Sequence, residues 1–258
     1  MKKEVRIFLA ALMFFTRIPV PQNNTADLNK AARYFPLVGV IVGLIGAVIF
    51  EIAAFIFRDH TIAALLSLGA TLLTTGAFHE DGLADVADGF GGGWTKARIL
   101  EIMKDSSVGA YAVIMLIIVI GLKITVLSRL GSITITFGLM YVSAHAVSRI
   151  MPVFLLRFMQ YAREEDVSSK SKSLANKMSW SGFLTAIITG IIPLIILSVY
   201  TSISVFLVLI PCGLLTLYLA RYFNKWINGY TGDCLGATQQ LNEVVFYLSM
   251  LLIWNYSL

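Results

Sequence analysis

Apolar residues in this chain cluster in seven long runs, 34–56, 61–78, 107–128, 133–156, 180–200, 203–222 and 242–257, instead of alternating with polar ones. A helix needs about 20 apolar residues to cross the hydrocarbon layer. Five of the runs reach that length comfortably, while the second and last are short. In lipid an open sheet would leave backbone groups unpaired, so each run predicts a helix. A shorter apolar segment, 5–16, has Lys2, Lys3 and Arg6 around its start and Arg17 after it, which suits a re-entrant or interfacial helix. It has no small-residue cleavage site, which argues against a removable signal peptide. With no internal repeat or low-complexity tail, residues 1–258 read as one all-α, polytopic helical bundle of about seven spans plus this N-terminal helix.

The charges in the loops fix an orientation. Segments 17–33, 79–106, 157–179 and 223–241 fall on one side of a seven-span chain and hold most of the cations, including Arg17, Arg33, Lys96, Arg98, Lys104, Arg157, Arg163 and Lys225. The opposite turns carry mainly Arg58 and Arg129. The positive-inside rule therefore predicts cytoplasmic long loops and an outward C-terminus in a bacterial or archaeal cytoplasmic membrane.

Composition agrees with this reading: 57% of residues are hydrophobic and 14% charged, against the roughly 25% charged of a soluble domain. The net charge of +5 is spread through loops without a stripe of interleaved aromatics, which argues against a nucleic-acid partner. Cys212 and Cys234 have neither disulfide nor zinc-ligand spacing, and Cys212 reads as core packing. Gly39, Gly43 and Gly46 predict close helix packing, Tyr34 and Phe35 an interfacial position, and such small-residue faces permit a homo-oligomer. The polar stretch Ala162–Trp180, with Glu164, Glu165 and Asp166, reads as a solvated connection.

Against this background one segment stands apart. Phe78-His79-Glu80-Asp81-Gly82-Leu83-Ala84-Asp85-Val86-Ala87-Asp88-Gly89 gathers four of the chain's 15 acidic residues at the end of an apolar run. A helix puts Asp81, Asp85 and Asp88 at i, i+4 and i+7, on one face. Carboxylates so placed repel one another unless a cation or protons neutralise them. Metal or diphosphate chemistry therefore outweighs a merely solvated face for these three. Glu80 is rotated away, and reaches the same ion only from another side or else contacts a neighbouring helix. Three roles are open to His79: metal ligand, proton transfer, or a hydrogen bond at the membrane surface. Gly91 and Gly92 lie in a glycine cluster that lets the backbone approach a phosphate, without a Walker Lys-Ser/Thr ending.

Further polar groups fall on the same predicted side. Lys104 can neutralise phosphate and Asp105 can contact metal or nucleotide, or both simply begin the next helix. Asp233 lies in Gly229-Tyr230-Thr231-Gly232-Asp233-Cys234-Leu235-Gly236, and Asn242 and Glu243 open the last apolar run. Arg149, with His145 and Ser148 inside the fourth run, is costly there unless it snorkels or meets an anion. Arg17 closes Phe14-Phe15-Thr16-Arg17-Ile18-Pro19-Val20-Pro21 as a phosphate contact or an interfacial anchor.

Together, Phe14–Pro21, His79–Gly93, Glu101–Tyr111 and Gly232–Glu243 closely resemble the cobalamin synthases, the adenosylcobinamide-GDP ribazoletransferase family, and the resemblance covers almost the whole chain. It implies that adenosylcobinamide-GDP and α-ribazole, or its 5'-phosphate, are joined with release of GMP. It also implies Mg2+, for which Glu80, Asp81, Asp85 and Asp88 are the candidate ligands. His79 or a carboxylate would take the proton of the attacking ribazole 5'-hydroxyl. Lys104, Arg17 and Arg149 would offset phosphate charge, with Gly91, Gly92, Asp105, Asp233 and Asn242 as further substrate contacts. A CDP-alcohol phosphotransferase is the nearest alternative, but no Ala-Arg follows the first Asp-Gly and its last acidic pair is not reproduced after Asp88. A cofactor or ion transporter is weaker still, because the carboxylates gather beside one loop instead of along a path.

Overall fold

The structure, a computed structural model, describes residues 3–21, 28–133, 136–163 and 178–256. Most of the polar stretch read as a solvated connection, including Glu164, Glu165 and Asp166, lies outside them. Eleven α-helices are seen among the described residues: α1 (Lys3–Phe15), α2 (Leu28–Ala31), α3 (Phe35–Phe57), α4 (His60–Thr75), α5 (Phe78–Gly92), α6 (Lys96–Ile102), α7 (Ala110–Ile133), α8 (Phe137–Phe158), α9 (Trp180–Tyr200), α10 (Leu209–Ile227) and α11 (Gly232–Tyr256). Short 3-10 turns precede α3 and α10, and no strand is formed among these residues.

Five helical segments, Ala32–Phe57, Ala110–Ile133, Phe137–Phe158, Trp180–Tyr200 and Ile203–Ile227, are each long and apolar enough to cross a membrane. The protein is thus an all-α, multi-pass membrane protein. Two of the seven expected spans differ in kind. The run 61–78 becomes α4, which ends in a 90° bend onto α5. Gly76 and Ala77 make that bend, both in the left-handed region at φ 68° and 57°. The run 242–257 is the apolar half of α11, whose first half carries Asp233, Gln239, Gln240 and Glu243 and dilutes its hydropathy. α4 supplies the apolar part of the bent pair. α1, at 13 residues, is too short to span.

α8 is the axis of the bundle: 89% of its apolar window is buried, against 28–39% for the other four segments. α3 crosses it closely through Gly39, Gly43 and Gly46. A side chain at Gly39 would strike the His145 carbonyl oxygen, and one at Gly46 would come within 2.6 Å of the Tyr141 ring. The other flank of α8 receives α11 in antiparallel register, with Gln239 beside Ser148, Glu243 beside His145 and Tyr247 beside Tyr141. Cys212 is buried against the α11 backbone, as the sequence predicts. Phe35, expected at the interface, is instead 4% exposed and packed 4.0 Å from the Phe15 ring.

Candidate active site

α5 leaves the bend and lays its second turn against the first turn of α11, so that Gly82 faces the backbone of Asp233. Asp81 is exposed and Asp85 half-buried on this side of α5. Burial, followed by the negative charges of Asp233 and Asp81, pushes the Asp85 carboxyl up to about 7. Asp233 is also raised, mainly by burial, although Arg163 opposes this. Arg163 Nη2 donates to Asp233 Oδ2 at 3.1 Å, and the Thr231 hydroxyl donates to the same oxygen at 3.2 Å. A short backbone pairing sets this arrangement: Tyr230 N–H donates to Gln160 O at 2.9 Å and Ala162 N–H to Tyr230 O at 2.8 Å. One cation therefore already stands among the carboxylates.

A cavity of about 310 Å3 opens beside this face. Asp81 and Asp233 line it with Phe14, Phe15, Phe35 and Phe78, and His79 and Arg149 are also part of its lining. Behind it lies a polar network buried in the bundle. Lys123 Nζ meets Glu243 Oε1 at 2.8 Å and donates to Gln240 Oε1 at 2.6 Å. Gln239 Nε2 donates to Glu243 Oε2 at 2.6 Å, and Arg149 Nη1 to the His145 carbonyl at 3.0 Å.

A family model described as cobalamin-5-phosphate synthase matches residues 7–251. The chain belongs to the cobalamin-5-phosphate synthase family. Among its relatives, a Shewanella amazonensis protein is 44% identical over 99% of this chain and 98% of its own length. A Shewanella frigidimarina protein is 43% identical over 97% of this chain and 96% of its own, and one from Shewanella piezotolerans is 40% identical over 98% and 97%. Each is named adenosylcobinamide-GDP ribazoletransferase. No solved structure matches the chain.

In this synthase-family chain the residues singled out from sequence separate into two groups. Asp81, Asp233, His79 and Arg149 line the cavity, with Asp85 beside Asp81 and Asp233. The rest lie elsewhere. Asp88 Oδ2 accepts the Gly109 N–H at 2.6 Å and Oδ1 the Ala112 N–H at 2.9 Å, so its carboxylate caps α7. Glu80 turns into the bundle and accepts from Gln240 Nε2 at 2.8 Å, the neighbouring-helix contact that its rotation allowed. Asn242 faces α10, donating to Thr216 Oγ1 at 3.1 Å, and does not line the cavity; its neighbour Glu243 joins the buried network instead. Lys104 and Asp105 are exposed beyond α6, where Asp105 accepts from the Ser107 N–H and hydroxyl. Gly91 packs on the Tyr111 ring and Gly92 near Ile102, contacts of packing rather than of a phosphate loop. Arg17 lies over Gly76 at the bend.

The donor set can be tested against Mg2+ on these contacts. Among the described residues no three His, Cys, Asp or Glu side chains converge as a ready metal cage. Glu80 Oε1 and both oxygens of Asp88 are engaged by protein donors. Asp81 and Asp85 remain, one helical turn apart and crowded by negative charge. Mg2+ is commonly held by one or two carboxylates plus substrate phosphates and water, so this pair fits it. Sequence reasoning missed Lys123, Gln239, Gln240 and Arg163. The first was hidden in an apolar run, although an intramembrane lysine is itself a signal.

Proposed function

We propose that this chain joins adenosylcobinamide-GDP to α-ribazole or its 5'-phosphate, releasing GMP and forming adenosylcobalamin or its 5'-phosphate. Family membership supplies the reaction class, and the observation that supports the site is the face of Asp81, Asp85 and Asp233 beside a nucleoside-sized cavity. A ribose hydroxyl attacks the phosphorus attached to cobinamide. The new bond is ribose O–P, and the bond that breaks joins that phosphorus to the oxygen leaving with GMP. The expected 5'-hydroxyl nucleophile does not serve both acceptors, because the phosphorylated one has its 5' oxygen already esterified. A site common to both attacks through a secondary ribose hydroxyl.

Asp81 and Asp85 would hold Mg2+, which would neutralise the diphosphate and the charge developing on the leaving phosphate. Asp233 uses one oxygen for Arg163 and Thr231 and keeps Oδ1 for the hydroxyl proton. Its pKa is raised, mainly by burial, which makes the carboxylate a stronger base toward the hydroxyl proton. Arg163 holds Asp233 in place and leaves positive charge next to the reacting phosphates. The remaining requirement of phosphoryl transfer is positioning, which two packed helices provide better than a loop. The lysine- and arginine-rich loops support a cytoplasmic orientation of this face.

The test is incubation of purified protein in detergent with adenosylcobinamide-GDP, α-ribazole and Mg2+. The expected result is GMP and a complete corrinoid in equal amounts, with loss of both on chelation by EDTA. GMP without the joined corrinoid, or turnover of a CDP-alcohol in its place, would contradict the proposal.

A further inference from the structure

The cavity beside the acidic face has an unusual wall. Phe15 lies edge-on to Phe35 at 4.0 Å and to Phe78 at 5.7 Å, and Phe14 lies 5.3 Å from Phe78. These rings come from α1, α3 and α5, and together they line the pocket. His79 sits among them, its ring 5.6 Å from Phe15 and only 5% of the residue exposed. Neither its Nδ1 nor its Nε2 has a hydrogen-bond partner among the described residues. A buried imidazole without partners is a standing cost, and one that lines a cavity is relieved when a ligand fills it.

We propose that this cavity is the subsite for the aromatic base of the ribazole acceptor, with a His79 ring N–H donating to the base's unsubstituted ring nitrogen. The inference rests on the transfer reaction proposed above. At about 310 Å3 the cavity lies at the low end of the ~300–1,000 Å3 range of small-ligand pockets. That is room for a nucleoside and far too little for a corrinoid. Between the two nucleosides of the reaction, chemistry decides. Guanine presents several donors and acceptors along its edge, which phenylalanine walls would leave unpaired, and unpaired buried polar groups are strongly rejected. The ribazole base is a dimethylated fused aromatic ring with a single free acceptor nitrogen, which matches an aromatic wall and one imidazole donor. Seated there, its ribose points toward Asp81 and Asp233 at the same cavity. His79 is then a specificity residue for the acceptor rather than a metal ligand or the general base.

The experiment compares wild type with His79→Phe, which keeps an aromatic ring and removes the donor, and His79→Asn, which keeps a short donor. Each is assayed with α-ribazole and with the indole riboside that carries C–H in place of the free ring nitrogen. Wild type should prefer α-ribazole by about tenfold or more in kcat/KM, the loss expected for one hydrogen bond. His79→Phe should lose that preference and raise the KM for α-ribazole, His79→Asn should restore part of it, and the KM for adenosylcobinamide-GDP should stay unchanged in all three. That unchanged KM also reports that the variants are folded. Three outcomes would overturn the inference: discrimination kept by His79→Phe, a fall in kcat with the α-ribazole KM unchanged, or a raised KM for adenosylcobinamide-GDP. A wild-type protein that joins neither acceptor would instead overturn the parent proposal.

Discussion

Asp85 and Asp88 are separated by less than one helical turn and have opposite fates. Asp88 takes two of the unpaired N–H groups at the start of α7, which is what an N-cap does, although it reaches them from another helix. Asp88→Asn keeps only one acceptor oxygen, so it should cost about 1 kcal/mol of stability, the size of a lost cap. Thermal unfolding in detergent measures this, and the apparent Mg2+ affinity of the variant should match wild type. Among the described residues no such donor reaches Asp85, and its carboxyl is pushed up to about 7 from an ordinary 3.8 by burial and by Asp233 and Asp81. A raised carboxyl pKa in the folded state gives stability that is complete below the unfolded value and is lost as pH rises through about 7. Ionisation of Asp85 also readies it for a cation. Mg2+ should therefore raise the Tm more at pH 8 than at pH 6, and an equal shift at both would remove Asp85 from the site.

At the scale of elements, α5 works because it is braced from behind. Its Glu80 accepts from Gln240 of α11, Gln240 accepts from Lys123 of α7, and Lys123 pairs with Glu243 of α11. Lys123 and Glu243 are 2% exposed, and Glu243 also stands 3.6 Å from His145 Nδ1 and within the field of the buried Arg149. Removing one partner of a buried pair typically costs ~3–5 kcal/mol, whereas replacing both with apolar residues is close to neutral. Lys123→Met should therefore destabilise the protein strongly, and adding Glu243→Leu should recover only part of the loss, because it leaves the buried Arg149 without its carboxylate, as read by a double-mutant cycle of Tm values. If the two substitutions add instead, the pair does not hold α7 against α11.

At the scale of the whole molecule, the apolar runs placed the helices because span length and hydropathy are properties of the local sequence. Seven runs became seven helices, yet the 90° turn after α4 was not visible in them. It depends on Gly76 and Ala77 adopting left-handed backbone, and alanine gives no warning of that. The acidic face was legible for the same local reason, since i, i+4 spacing needs only a helix. What the carboxylates touch is long-range: Asp88 finds residues 21 and 24 positions on, and Glu80 one 160 positions away. That distance explains why nothing in the sequence signalled the partners of Glu80 and Asp88, and why Asn242 was chosen where Glu243 faces the network. The aromatic cavity was equally hidden, because its rings come from three helices and its histidine from a motif that invites a metal role.

The account turns on Asp85 standing at the reacting diphosphate, and a Mg2+ titration of joined-corrinoid formation with wild type and Asp85→Asn tests it most directly. Wild type should show saturable Mg2+-dependent synthesis. Asp85→Asn should fold, bind adenosylcobinamide-GDP and lose at least about 100-fold in turnover, the scale of removing one preorganised electrostatic contact. An Asp85→Asn protein with wild-type turnover and Mg2+ dependence would contradict the account.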